Sequence, residues 1–365
     1  MVALYLGLNL AKTKTPINYM GGIITENFTQ RTTPNTVTWN SVCYGEPSGN
    51  PLFVAVSTTG TNRVMTSPDG VIWTSRSASQ SNPWQSVVWA GGTVNLFVAV
   101  ANSGTNRVMT SPDGITWTNR NAIGTTGDWR SVAWSGSRLV SVAFSNTTGS
   151  AIMYSDDGIN WNASTVPSPI VSSNARFTKV HWAGNFGCFI AVSNGDDFTI
   201  PAYCIKSTDG ITWTVSSFGI FNTISENLTS IASNNGVILI GGDSIIDISP
   251  RLWISKDGGN NFTLLDSITD REPASFLDLL WIPHIQIFLG VINSTGRFYK
   301  LISIIGDDFV EGGNTYRAIP IADSSYQPTS IAYGSRERIL VGVYNAGSGT
   351  LNRAFSLYIG REGSI

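Results

Sequence analysis

Two short loops of the sequence pair asparagine with arginine in a pattern suited to binding an anion or a sugar. They read Gly60-Thr61-Asn62-Arg63 and Gly104-Thr105-Asn106-Arg107, and Gly349-Thr350-Leu351-Asn352-Arg353 is a near copy. Arginine presents a planar fork of donors that matches a carboxylate, and asparagine adds a donor and an acceptor. The candidate ligand-binding residues are therefore Asn62, Arg63, Asn106, Arg107, Asn352 and Arg353. A hairpin loop that was copied together with its repeat explains the same pattern without a ligand, and this interpretation is preferred.

A second repeated phrase places an aspartate in a tight turn, as in Ser67-Pro68-Asp69-Gly70 and Ser111-Pro112-Asp113-Gly114. The recurring aspartates are Asp69, Asp113, Asp157, Asp209 and Asp257. Asp-Gly between strands indicates a hairpin, because glycine accepts positive φ and the carboxylate accepts N–H bonds of its own turn. These aspartates are therefore predicted to be structural, and no catalytic residue is assigned.

Other reactive side chains are few. The carboxylates of Asp196, Asp197, Asp243 and Asp247 would suit glycoside hydrolysis if two of them faced one groove, but they are interpreted as solvated loop acids. With two histidines and three cysteines in the chain, neither a His-rich metal site nor a disulfide framework is predicted, and no cofactor is expected. Cys188 and Cys204 fall on neighbouring strand-like segments and could form a disulfide if these are in register, but free, buried thiols are the preferred interpretation.

Charge and hydropathy exclude several classes of protein. The 365 residues contain 22 Lys+Arg and 24 Asp+Glu, so the net charge of −2 argues against nucleic-acid binding. No apolar run reaches the roughly 18 residues that a membrane span needs. Hydrophobic residues make up 42% of the chain, enough for a large core, so intrinsic disorder is excluded for most of it.

The elements that position these residues belong to a repeat of about 50 residues. An aromatic residue, a serine two positions later, an apolar pair and a second aromatic recur, as in Trp39–Tyr44, Trp84–Trp89 and Trp129–Trp134, with weaker copies near Phe177, Leu228, Phe276 and Pro328. Intervals of 45 to 52 residues match the blades of a propeller. Each repeat contains four strand-like segments, and the second is apolar at consecutive residues, as expected of an inner strand buried on both faces.

The two ends of the chain predict how the repeats close. The seventh repeat has strand-like segments near Pro328, Ile339 and Arg353 but lacks a fourth, whereas Phe28-Thr29-Gln30-Arg31 matches the fourth segment Trp73-Thr74-Ser75-Arg76. Phe28 precedes Trp39 by 11 residues, as Trp73 precedes Trp84. We therefore predict an all-β chain, a single seven-bladed β-propeller of four-stranded antiparallel blades, whose ring is closed by residues 24–32 as the outer strand of the last blade.

The aspartate turns resemble the Asp-box hairpin of sialidase-like (BNR) repeat β-propellers. The copy from Ser255 to Phe262 has the family spacing, and four others are one residue shorter between Asp and Trp. By this resemblance the turns lie at the blade periphery, opposite the usual ligand face. A sialidase needs an arginine triad, a Tyr–Glu nucleophile pair and an acid/base Asp, but this sequence has no Phe/Tyr-Arg-Ile-Pro motif and few glutamates, and sialidases have six blades by family pattern.

The domain boundaries and the function follow as expectations. We expect residues 21–365 to form the propeller and residues 1–20 to form an N-terminal extension. Leu4, Leu6, Leu8 and Leu10 alternate with other residues in this extension, so it is either a disordered or loosely docked tail or an arm that docks on a partner subunit. The chain resembles structural proteins of phage and large-virus particles, so a non-enzymatic virion module is expected, anchored to other virion subunits by the arm. Its loop face would bind a cell-surface glycan or protein. The alternatives are a sialidase-like hydrolase and an intracellular assembly scaffold located in the cytoplasm.

Overall fold

The computed structural model describes residues 29–145, 150–168, 170, 176–195, 201–218, 226–234, 236–246, 249–265, 274–283, 287–294, 300–305, 316–320, 326–336, 338–346 and 352–358. Strands and tight turns account for most of these residues. Two short 3-10 turns, Pro47–Gly49 and Gly184–Phe186, connect first strands to second strands.

The strands follow the repeat of the sequence. The strands up to the third repeat are β1 Thr29–Thr32, β2 Trp39–Gly45, β3 Leu52–Ser57, β4 Val64–Ser67, β5 Thr74–Arg76, β6 Trp84–Ala90, β7 Leu96–Ala101, β8 Val108–Ser111, β9 Thr118–Arg120, β10 Trp129–Trp134, β11 Leu139–Ala143, β12 Ile152–Ser155 and β13 Asn162–Ala163. The next are β14 Arg176–Ala183, β15 Cys188–Asn194, β16 Cys204–Ser207, β17 Thr214–Val215, β18 Ser217–Phe218, β19 Glu226–Ser233, β20 Ile238–Ser244, β21 Pro250–Ser255 and β22 Asn261–Leu265. The last are β23 Ala274–Ile282, β24 Ile287–Ser294, β25 Lys300–Ile305, β26 Tyr316–Pro320, β27 Tyr326–Gly334, β28 Ile339–Ala346 and β29 Asn352–Tyr358.

Antiparallel four-stranded sheets are the common unit. Five sheets have four strands each, in the orders β2-β3-β4-β5, β6-β7-β8-β9, β10-β11-β12-β13, β23-β24-β25-β26 and β1-β29-β28-β27. The remaining strands form one nine-stranded sheet, which differs from the expected division into separate sheets. The reason is local: β15 reaches β19 through a single residue pair, Asn194 with Asn227, and β18 adds alongside β22.

Neighbouring sheets pack face to face through apolar cores. The second strands, such as Leu52–Ser57 and Leu96–Ala101, are buried at nearly every residue, because a sheet lies against each of their faces. Val54 and Val56 of one sheet pack with Trp84 and Phe97 of the next, and equivalent clusters join the following sheets. Burying each such aromatic or branched side chain contributes roughly 1.5–3 kcal/mol, so the sheets stabilise one another.

The first and last sheets also meet. Trp39 and Phe53 share a core with Ile339 and Val341. A Cβ atom added to Gly70, which has φ +69°, would lie 2.6 Å from Val341 Cγ2, so only glycine suits both the turn and this close approach. The turns at Gly114 and Gly158 approach the sheets preceding them in the same way.

The N-terminal strand completes the last sheet. Strand β1 pairs antiparallel with β29, Thr29 opposite Ser356 and Arg31 opposite Ala354, and Arg31 Nε donates to Ser356 Oγ at 2.7 Å. The expected pairing of these two segments is therefore present over residues 29–32, whereas residues 24–28 and the arm of residues 1–20 lie outside the described residues.

The antiparallel order gives the assembly two faces. The turn face carries the connections from first to second strands and the turns of Asp69, Asp113, Asp157, Asp209 and Asp257. The loop face carries the connections from second to third strands and those from one sheet to the next. The predicted Asn-Arg pairs therefore begin third strands at the loop face, on the side opposite the aspartate turns.

Candidate functional site

An arginine cluster on the loop face brings together Arg107, Arg130 and Arg176, and it was not foreseen from the sequence. Arg130 holds Asp128 through two contacts, Nε to Oδ1 at 2.6 Å and Nη2 to Oδ2 at 2.7 Å. The Arg130 and Arg176 guanidinium carbons lie 5.2 Å and 5.7 Å from the centroid of the Phe144 ring, within cation–π range. Arg107 joins from the preceding repeat, donating from Nη1 to Gly127 O at 2.6 Å.

Strand ends bring this arginine cluster together. Arg107 directly precedes β8, Asp128 directly precedes β10, Arg130 is the second residue of β10, and Arg176 begins β14, so three successive repeats contribute. Phe144 follows β11 and is fixed by its N–H, which donates to Asp128 O at 2.8 Å. Arg130 pairs with the Asp128 carboxylate, Arg107 lies close enough to interact with it electrostatically, and Arg176 shares the Phe144 ring with Arg130. Three cations and one anion give a local charge of about +2 in a chain whose net charge is −2. An arrangement of this kind attracts carboxylate or other anionic groups.

The predicted Asn-Arg pairs mostly hold their own loops. Arg63 donates from Nε to Gly60 O at 2.8 Å and from Nη1 to Thr58 O at 2.9 Å, and Arg107 Nε donates to Gly104 O at 2.9 Å. Asn62 accepts from Ser77 Oγ at 3.2 Å, and Asn106 bonds Gln80 and Asn121. Asn352 and Arg353 begin strand β29, and the backbone of Asn352 pairs with Thr32 of β1. Among the six residues, Arg107 is the one that also belongs to the arginine cluster.

The repeated aspartates organise their turns. Asp113 Oδ1 accepts from Ser111 Oγ at 2.9 Å and from the N–H groups of Ile115 and Thr116 at 2.8 Å each. Asp69, Asp157 and Asp209 make the same set of bonds, and Asp257 does so in a turn one residue longer. Partial burial raises the pKa of Asp157, but the bonds from the N–H and side chain of Asn160 and from Ile159 and Ser155 outweigh it, and the pKa falls to about 2.

The first strands are linked to one another by serines at the third position of the repeated phrase. Ser41 Oγ accepts the N–H of Val87 at 3.2 Å, Ser86 that of Val132 at 3.3 Å, and Ser131 that of Val180 at 3.2 Å. Ser330 accepts from Val42 at 3.3 Å, so this link also joins the last sheet to the first. The serine of the repeated phrase is thus a contact between sheets.

Lys179 and Asp278 replace serine at two of these positions and pair with each other. Lys179 Nζ lies 3.0 Å from Asp278 Oδ1, and the Asp278 side chain is only 7% exposed. Asp278 Oδ2 still accepts the N–H of Ile331 at 3.1 Å, as a serine does elsewhere. The carboxylate is therefore held by a strand contact and a cation together.

His181 lies two residues after Lys179 and contacts Ser233 Oγ through Nε2 at 2.9 Å. Burial and the nearby Lys179 ammonium lower the pKa of His181 to about 4, although Asp278 opposes the shift. The imidazole is therefore neutral at pH 7, and the sequence alone gave no sign of this.

Asp243 is not the solvated loop acid that the sequence suggested. It is 6% exposed, and it accepts from Ser275 Oγ at 2.6 Å and from Asn227 Nδ2 at 3.3 Å. Burial raises the pKa of its carboxyl group, and the two hydrogen bonds only partly oppose this. The expectation was wrong because the end of β20 is covered by the starts of β19 and β23. Asp196, Asp197 and Asp247 lie outside the described residues.

Cys188 and Cys204 are free and buried, as expected. Within the described ranges, no group of three His, Cys, Asp or Glu side chains is placed to hold a metal ion. No described helix is both long enough and apolar enough to cross a membrane.

Sequence reasoning missed the arginine cluster because its members are far apart and individually ordinary. Arg130 occupies the second position of the repeated phrase, where Asn40 and Gln85 stand in the first two repeats. The one available signal was this substitution of a cation into a polar position, next to Asp128.

Comparison with known proteins supports the architecture. No protein-family model matches the chain, and no curated protein matches it in sequence. Several solved structures match it in fold. Virginiamycin B lyase from Staphylococcus aureus matches with a TM-score of 0.66 at 8% identity, covering 90% of this chain and 98% of that one. YCF48 from Cyanidioschyzon merolae matches with a TM-score of 0.60 at 15% identity over 91% and 98%.

A chain of the mitotic checkpoint complex matches with a TM-score of 0.58 at 11% identity, covering 94% of this chain and 97% of that one. These neighbours are β-propellers with different activities, enzymatic and non-enzymatic. At identities this low the likeness concerns architecture alone. The chain is therefore an all-β protein with a β-propeller fold.

Proposed function

We propose that this chain is a non-enzymatic, seven-bladed propeller module that binds an acidic segment of a protein partner on its loop face. The observation that carries the proposal is the arginine cluster, in which Arg107 and Arg130 lie near the Asp128 carboxylate and Arg176 joins Arg130 at the Phe144 ring. The cation–π contacts of Arg130 and Arg176 with Phe144 restrict both side chains, so less side-chain freedom is lost when a carboxylate binds. YCF48 bound to D1 peptide, a structure with a TM-score of 0.61 at 15% identity over 92% of this chain, is a propeller that takes a peptide.

The count of seven blades rests on dividing the nine-stranded sheet in two. One half has the order β14-β15-β16-β17, and the other has the order β19-β20-β21-β22. The two halves share a single backbone pair, Asn194 with Asn227, and they also pack face to face through one apolar cluster that includes Ile190 and Trp253. Packing of this kind between two sheets is typical of adjacent blades rather than of one continuous sheet.

Binding of acidic peptides tests the proposal. A peptide array of acidic, neutral and basic sequences should select acidic peptides, with affinity that falls as salt rises. Losing a charge-assisted hydrogen bond removes about 1.5–3 kcal/mol, so Arg176→Gln should weaken binding about tenfold or more.

Arg336→Gln is the matched control, because Arg336 lies on the turn face, where its Nη1 donates to Gly49 O at 2.9 Å, and this variant should bind normally. Equal binding by Arg176→Gln, or selection of neutral peptides, would contradict the proposal. If carboxylated glycans bind and acidic peptides do not, the ligand of the arginine cluster is a glycan rather than a protein.

A hydrolase is the second candidate, favoured by Asp243. A buried carboxyl group with a raised pKa is the form in which a general acid works. A panel of fluorogenic glycosides should show no turnover if the binding function is right. Turnover that is lost in Asp243→Asn would favour the enzyme instead.

The location in a virion and the anchoring role of residues 1–20 stay predictions from the sequence, as does the resemblance to Asp-box repeats. The hydrogen-bonded turns of Asp69 and Asp113 are compatible with that resemblance. Deleting residues 1–20 should yield a folded propeller that is not incorporated into particles. Unchanged incorporation would contradict the anchor.

A further inference from the structure

Exposed isoleucine side chains recur in the aspartate turns of the turn face. Ile115 and Ile159 lie two residues after the aspartate, where the first repeat has the half-buried Val71, and Ile72 lies one residue further along its turn. Ile72, Ile115 and Ile159 are 68%, 47% and 41% exposed, and each follows the aspartate of its turn by two or three residues. They lie on three successive sheets and thus form an arc, which we call the isoleucine arc. Ile211 occupies the equivalent place in the fourth repeat and is half-buried.

The turns themselves do not require an aliphatic side chain here. The N–H groups of Ile72, Ile115 and Ile159 donate to the aspartate, a role that any non-proline residue fills. The fifth repeat has Asn260 and Asn261 in this region, and their N–H groups donate to Asp257 in the same way. Exposing β-branched aliphatic residues in three repeats is unfavourable in water, so the arc has the character of a contact surface.

The inner rim of the same face adds aromatic surface. Tyr44, Trp89 and Trp134 end the first strands of the same three sheets and are each only half-buried. Trp89 stacks near Phe97 with ring centroids 4.5 Å apart, which fixes its orientation. Partly exposed tyrosine and tryptophan are typical of contact surfaces.

The chain itself supplies a fitting occupant next to this arc. Strand β1 is the outer strand of the last sheet, and Thr29, at its start, lies at the turn face because it pairs with Ser356 near the end of β29. The last sheet packs against the first, which carries Ile72. Residues 11–28 can extend by up to roughly 60 Å, at 3.3–3.6 Å per residue, so Leu4–Leu10 can reach the arc.

We propose that the segment Leu4–Leu10 of the same chain docks on the isoleucine arc, with Leu4, Leu6, Leu8 and Leu10 facing the isoleucines. The alternation of the segment places its four leucines on one side when it is extended. Docking within one chain prevails over docking on a second copy because the short connection gives a high effective concentration. In this docked state, the segment that is predicted to anchor the protein to other subunits covers the isoleucine arc of its own chain.

Photo-crosslinking in the full chain tests this contact. p-Benzoylphenylalanine placed at position 8 should crosslink, within a monomer, to peptides that contain Ile72, Ile115 or Ile159. The same probe at position 9, on the opposite side of the extended segment, should crosslink several-fold less. Binding of acidic peptides is measured on the same samples, so failure of the docking proposal and failure of the proposed function are told apart.

Surface variants provide the matched comparison. Ile72→Asn, Ile115→Asn and Ile159→Asn combined should reduce the crosslink at position 8 several-fold without changing the melting temperature, because the turn bonds use backbone N–H groups. Ile246→Asn, at a residue 80% exposed on the loop face, should leave the crosslink unchanged. Crosslinks that form covalent dimers, that fall outside the arc or that survive the triple variant would overturn the proposal.

Discussion

At the scale of single residues, aspartates with similar sequence neighbours have opposite pKa shifts in the structure. Asp113 in its turn is held as a carboxylate by two backbone N–H groups and a hydroxyl, and its pKa is lowered although burial opposes this. Asp243, at a strand end, is covered and its pKa is raised. The difference arises because a turn offers backbone donors to the first carboxylate, whereas neighbouring strands remove the second from water.

His181 makes stability depend on pH in a window of its own. Its pKa of about 4 in the folded chain lies below the unfolded value of 6.5, so the unfolded state binds more protons between these values. The stability due to neutral His181 is complete above pH 6.5 and is lost as the pH falls through 4. We expect a loss of about 1–2 kcal/mol, below the full shift at 1.36 kcal/mol per unit, because the side chain is only half-buried.

Urea denaturation between pH 7 and pH 4 measures this dependence. His181→Gln keeps a polar contact for Ser233 and should flatten the curve in this range. The turn aspartates affect stability at lower pH than His181 does, since the contribution of Asp157 is lost as the pH falls from 3.8 through about 2. An unchanged slope between pH 6.5 and 4 in the variant would show that another group titrates.

At the scale of elements, a serine hydroxyl links neighbouring first strands in four repeats, and Lys179 and Asp278 depart from this pattern together. In most repeats a serine hydroxyl accepts an N–H from the following first strand, as Ser41 does from Val87. Asp278 keeps that bond with Ile331 but adds a charge, which Lys179 neutralises. The two substitutions thus form a coupled pair within an otherwise regular contact.

A double-mutant cycle tests this coupling. Lys179→Ser leaves the buried Asp278 carboxylate without its cation and should cost about 1–3 kcal/mol, since one partner of a buried pair is lost. Lys179→Ser combined with Asp278→Ser restores the serine of the other repeats and should cost less than the single change. The coupling from urea denaturation should exceed about 1 kcal/mol. Additive effects would mean that the two residues act independently.

At the scale of the whole molecule, the two ends of the chain build one sheet. The pairing of β1 with β29 joins residues more than 300 positions apart, and the core of Trp39 with Val341 lies beside it. Each sheet has its apolar faces covered by two neighbours, so the first and last sheets would be the weak points of an open array. Closure covers both.

Removing strand β1 should therefore weaken the whole assembly. A chain that begins at residue 33 exposes the edge of β29 and loses the bond from Arg31 to Ser356. We expect its melting temperature to fall by about 5 °C or more, with aggregation through the free edge. Deleting residues 1–20 is the control and should have a much smaller effect. Equal melting temperatures for the two deletions would argue against closure by β1.

The sequence by itself determined the repeated strands, the aspartate turns and the partner of the N-terminal strand. These follow from local patterns: Asp-Gly turns, apolar runs and a constant spacing such as that from Phe28 to Trp39. Only the tertiary structure decided the arginine cluster, the burial of Asp243 and the pairing of Lys179 with Asp278. The physical reason is that each of these contacts joins different sheets, so it depends on which strand ends meet across a face and has no signature in nearby residues.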